Sequence, residues 1–147
     1  MPYRPIISPA DLISVAKTEV INKITRDNEG IVIEAIDAAI GEVRLYLDRF
    51  DPVQIFGDIG LDVAATFHDA TLTRMIKVIA IWHLIGLSNV NIDYEKWKDR
   101  YKVSIDLLKR IQEGKSAPMW PLLDTAGADI PEGNDVFIIS NPKRENY

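Results

Sequence analysis

The sequence predicts an all-α protein: an antiparallel bundle of about four helices, an extended N-terminal arm, and a proline-rich C-terminal tail holding one short strand. Three observations carry this. Apolar residues recur at helical spacing through four successive blocks between Ser8 and Gly114. One block, Leu72 to Leu87, is apolar on nearly every face. After Gly114 the periodicity stops, and Pro118, Pro121, Pro131 and Pro142 punctuate the rest. The reading divides the chain into an arm (1–7), a helical domain (8–114) and a C-terminal extension (115–147).

Residues 1–7 contain two prolines and no periodicity, as expected of an arm. Ser8-Pro9-Ala10-Asp11 reads as a helix start, with a capping serine, a first-turn proline and an acid at the positive helix end. Leu12, Ala16, Val20 and Ile24 predict a helix to about Thr25. Arg26 to Gly30 reads as a polar turn; Thr25 and Ile36 stand where a calcium loop requires acids. Ile33, Ile36, Ile40, Val43, Leu47 and Phe50 predict one stripe on a second helix over about 31–50, ended by Asp51-Pro52. Residues 51–68 read as a loop with a helical turn near Val53–Phe56. Asp69 or Thr71 then starts the third helix, expected to be the central pillar because it lacks a polar face. The fourth helix begins near Asn91 or Asp93. Tyr94, Trp97, Tyr101, Ile105, Leu108 and Ile111 form its inner face, and Gly114 ends it. Asp135 to Ser140 is the expected strand.

Composition narrows the function. A chain of 147 residues with 47% apolar and 27% charged residues supports one globular domain. There is no cysteine, which excludes disulfides and thiolate chemistry. Acids outnumber bases 22 to 17, so the net charge of −5 argues against a phosphate-gripping surface. The N-terminus lacks the apolar core of a signal peptide, and Met75 to Leu87 is too short to span a bilayer. No nucleotide-binding, nucleophile-elbow or zinc-helix motif occurs. His83 lies within the apolar third helix and reads as a hydrogen-bonded core histidine. His68-Asp69 is the one pairing from which a hydrolase reading starts, and it lacks a nucleophile. No catalytic residue, cofactor or metal ligand is expected.

The tail is the unusual feature. It carries Trp120, Leu122, Leu123, Phe137, Ile138 and Ile139, residues that disordered segments generally lack. Such a segment is expected to be covered by its own domain or by another molecule. Trp120 reads as a lid over the fourth helix or as an anchor into a neighbour. Trp120, Phe137, Ile139, Arg144 and Tyr147 are the expected contact residues.

An ordered series of motifs adds a resemblance. It runs through Ile24-Thr-Arg-Asp-Asn-Glu-Gly30, Ala35-Ile36, Tyr46-Leu47, Phe50-Asp-Pro-Val-Gln-Ile-Phe56, Ile81-Trp-His-Leu84 and Arg100-Tyr101 with Ile105 and Leu108. Ile111-Gln-Glu-Gly-Lys115 and Ser140-Asn-Pro-Lys-Arg-Glu-Asn-Tyr147 complete it. Over roughly residues 8–147 this pattern resembles the Mu-like phage neck family, in the version found in phages and prophages of Bacteroidetes-type bacteria. A typical tryptophan of the fourth helix is replaced here by Leu107 or Leu108. The resemblance implies a structural virion protein, not an enzyme: a head–tail connector (adaptor) subunit, often in rings of twelve copies, beneath the portal at the neck. The implied partners are further copies of the chain, the portal protein and downstream tail or neck proteins, with DNA passing through the channel unbound and no membrane involved. The alternative from the residues alone is a helical regulator that binds one protein through its tail.

Overall fold

In the computed structural model, residues 2–26, 28–86 and 94–123 are described. They are mostly helical, with no sheet among them. A 3₁₀ turn over Pro9–Ser14 precedes α1 (Thr18–Thr25), α2 (Glu29–Arg44), α3 (Pro52–Phe56), α4 (Ala70–Ile85) and α5 (Tyr94–Gln112). The expected strand at 135–140 lies outside the described residues.

The centre is α4. Leu72, Ile76, Ile79, Ala80, Ile81 and Leu84 are fully covered, each of the larger ones contributing about 1.5–3 kcal/mol of burial. α2 and α5 pack against α4, and α1 and the 3₁₀ turn also reach it. The helix starts where Asp69 Oδ1 accepts the Leu72 amide at 2.8 Å.

The first predicted helix is divided. Asp11 accepts the Ser8 amide at 2.7 Å and the Ser8 hydroxyl at 2.9 Å. The Ser8 amide above all holds the Asp11 carboxyl below its usual range. The turn stays tight: the Val15 and Ala16 amides both reach the Leu12 carbonyl, at 3.0 Å each, and the Ser14 hydroxyl bonds back to Asp11 O at 3.0 Å. Lys17 is extended, and α1 begins afresh at Thr18. The break leaves Ile13 exposed and buries Leu12, Ala16 and Ile21, a spacing no continuous helix would align.

The buried stripe of α2 also differs from expectation. It consists of Val32, Ala35, Ile36, Ala39, Ile40 and Val43, while Ile33 is 44% exposed. Weighting large residues overlooked the alanines, whose small side chains let α4 approach. The helix ends at Arg44, short of Phe50. The amides of Leu45, Tyr46, Leu47 and Phe50 turn to carbonyls three residues back. Three-residue turns keep Leu47 and Phe50 in line with each other, and both are buried.

The N-terminal segment does not stand free. Ile7 is 2% exposed and joins the core, Ile6 packs on it, and the Tyr3 amide donates to Asp62 Oδ1 at 3.0 Å. The loop it meets is closed by paired amide bonds between Asp58 and Val63 at 2.8 and 2.9 Å. It exposes Ile59 and Leu61.

Gly57 has φ +78°, and a Cβ there would sit 2.6 Å from Val63 O. Gly57→Ala is therefore expected to cost about 2–3 kcal/mol, lowering the melting temperature by roughly 5–10 °C. Gly41, at an open position on α2, supplies the contrast: Gly41→Ala is expected to add about 0.5–1 kcal/mol. Thermal unfolding of the two variants checks both.

Candidate functional site

Two places concentrate side-chain chemistry. The first joins three helices. Glu42 on α2 accepts from His83 Nε2 on α4 at 2.9 Å and from the Tyr101 hydroxyl on α5 at 2.6 Å. Because a carboxylate only accepts, His83 carries its proton on Nε2 here. Trp82 stacks on Tyr101 with ring centroids 5.4 Å apart, and meets Tyr94 at 5.2 Å. Desolvation first, then the Glu42 hydrogen bond, pushes the Tyr101 phenol up to about 12. Both carboxylate oxygens, the imidazole and the phenol are thus occupied with one another. The cluster fastens α2, α4 and α5 at one level. Sequence reasoning found His83 as a hydrogen-bonded histidine but not its partner; a lone acid on an amphipathic helix does not reveal a partner 41 residues away.

The second place is where the tail leaves the helical domain. The Asp51 amide donates to Pro121 O at 2.9 Å, and the Leu123 amide donates to Arg49 O at 3.0 Å. These bonds pair Phe50 with Leu122 in a single antiparallel bridge. Trp120 is held beneath, edge-on to Phe50 at 5.6 Å between centroids, and only 7% exposed. Arg49 lies over the Phe50 ring at 5.1 Å and donates from Nη2 to Ile111 O at 2.7 Å, tying the end of α5 to the same junction. The Asp51 side chain caps α3 through the Val53 and Gln54 amides at 3.0 and 3.3 Å. Its carboxyl is held below the usual range, chiefly by the Gln54 side chain.

Of the expected contact residues, Trp120 occupies the lid position inside its own chain rather than an exposed one. Phe137, Ile139, Arg144 and Tyr147 lie outside the described residues. The exposed apolar side chains at the tail root are instead Met119 at 98%, Leu122 at 63% and Leu123 at 46%. The helical domain accordingly extends to Leu123 in structural terms, beyond the expected boundary at Gly114.

His68 is exposed, and the Asp69 carboxylate beside it is engaged as the α4 cap. Among the described residues no three His, Asp or Glu side chains converge as a metal site would require, and no helix is long and apolar enough to cross a membrane. The sequence matches no known family of proteins and no curated protein.

Trp120→Ala is expected to lower the unfolding free energy of the isolated chain by about 3–5 kcal/mol, measured by denaturant titration; an anchor into a neighbour would leave that quantity unchanged. For Tyr101 the sign follows from its raised value. Between about pH 10 and 12 the unfolded phenol loses its proton while the folded one keeps it. Stability is fully present below pH 10 and falls through that window. Ultraviolet titration is expected to show a phenol ionising near pH 12 that disappears in Tyr101→Phe.

Proposed function

We propose that this chain is a structural virion protein, a phage head–tail connector subunit that assembles into a ring beneath the portal around the DNA channel. The single observation that carries the reading is the tail root. The chain beyond α5 is fixed to the helical domain by two amide bonds and a buried tryptophan. It then continues for 24 further residues that include the apolar run Val136, Phe137, Ile138 and Ile139. A ring subunit needs a rigid wedge, because its angle sets closure, and a limb rooted firmly enough to transmit a contact to that wedge. The resemblance of the motif series to the Mu-like neck family supports the same reading.

In this proposal the helices form an antiparallel bundle around α4, and Met119, Leu122 and Leu123 extend the contact set formed by Phe137, Ile139, Arg144 and Tyr147. The partners are further copies in a ring of about twelve, the portal protein and the neck or tail proteins below. The net charge of −5 suits a channel wall that lets the duplex slide. No catalytic role is assigned, since Glu42, His83 and Tyr101 hold one another.

Mixing the full chain with portal protein and weighing the products tests this. A closed ring on the portal is expected, and phage particles are expected to show the chain at the neck. A small discrete complex with a single other protein would instead establish the regulator. Ending the chain after Leu123 keeps Trp120 in place and is expected to leave a folded domain that no longer assembles. Full assembly by that shortened chain would remove the tail from the mechanism.

A further inference from the structure

Along the seam between α4 and α5 runs an apolar groove of about 350 Å³, floored by Met75, Val78 and Leu107 and edged by Val103, which is 67% exposed. Two arginines line it. Arg74 has no hydrogen bond or ion pair among the described residues, and Arg100 rests on the Trp97 ring at 4.7 Å without an ion-pair partner among them. One acid, Asp99, also lines the groove. A second cleft continues the seam toward the tail root: Thr71 and Leu107 line both, and Pro118 and Trp120 close the lower end. The groove therefore opens beside the point from which the tail departs.

We propose that the segment Asp135–Ile139 of the same chain seats in this groove in the unassembled subunit. Three features select that occupant. The segment joins an acid directly to Val136, Phe137, Ile138 and Ile139, and three more acids precede it (Asp124, Asp129 and Glu132). That matches an apolar floor flanked by arginines without carboxylate partners. The reach suffices: from Leu107 to Arg100 along α5 is about 10 Å, and the twelve residues from Leu123 to Asp135 span up to about 40 Å. Tethering also gives the segment an effective concentration on the order of millimolar, so it outcompetes another copy's tail in dilute solution. The seat is independent of the ring reading. It gives the same apolar stretch one place in the free chain and leaves it exchangeable for a place on a neighbour.

The lack of native cysteine makes the test direct. Val103→Cys and Ile139→Cys are introduced together in the full chain, and diamide oxidation is followed by intact mass and non-reducing electrophoresis. The expected product is an internal disulfide at monomer mass. It should form at least tenfold faster than in a control pairing Ile139→Cys with Ile33→Cys on α2. Adding Arg74→Glu is expected to slow closure about tenfold, and adding Asp135→Arg to that variant is expected to restore it. Closure no faster than the control overturns the seat. Disulfide-linked dimers in dilute solution overturn the same-chain occupant and assign the groove to a neighbour's tail. An unchanged rate in Arg74→Glu overturns the charge match.

Discussion

The structure depends on covering α4. A helix that is apolar on most of its faces has no stable arrangement in water until those faces are enclosed, and here α2, α5, α1 and the 3₁₀ turn supply the cover. Each neighbour meets that demand differently. α2 presents Ala35 and Ala39 among its isoleucines and so comes close. α5 presents Trp97, Ile105, Leu108 and Ile111. The N-terminal segment is drawn in as well, because Ile7 completes the core. The segment expected to be a free arm is thus part of the enclosure.

Hydrophobic cover alone sets which faces meet but not their register. The Glu42, His83 and Tyr101 cluster supplies that. A carboxylate with two partners on two other helices accepts only one relative placement of the three, and sliding any helix by a turn would leave a partly buried polar group unpaired. The junction of Arg49, Phe50 and Asp51 does the same at the far end of α5: the Arg49 side chain holds the Ile111 carbonyl, its own carbonyl accepts the Leu123 amide, and the Asp51 amide donates to Pro121 O. The helices are thus pinned to one another at two levels.

How much of this was legible in the sequence follows from which interactions are local. α4 was clear because its composition leaves no alternative, and its start at Asp69 is a local cap. α5 was clear from its 3-4 spacing. The first helix was read as continuous because the break arises from competing hydrogen bonds around Ser14 and Leu12, which leave the apolar pattern almost intact. The end of α2 was misplaced because the tight turns after Arg44 preserve three-residue spacing, so Leu47 and Phe50 imitate a continuing stripe. Ile33 was overvalued and the alanines undervalued because size was taken as a guide to burial. The tail junction was half legible. The apolar content after Gly114 showed that something covers it, but Trp120 finds Phe50 across 70 positions, a pairing that no local spacing encodes.

The position of Trp120 changes the logic of the tail rather than removing it. An exposed tryptophan would have joined two subunits through one side chain on a flexible lead. A buried one, with the pairing of residues 121–123 to 49–51, fixes the chain after Gly114 to the helices as far as Leu123. The tail root is thereby fixed beside the α4/α5 seam, with Met119 and Leu122 on the surface. A limb with a fixed root loses less freedom on docking than one that must also order its own base. In the two proposals above, the same stretch has two seats, the groove beside its root and a neighbouring copy. On those proposals the balance between the two seats is governed by how many neighbours stand within reach, a number that a closing ring would raise for every subunit.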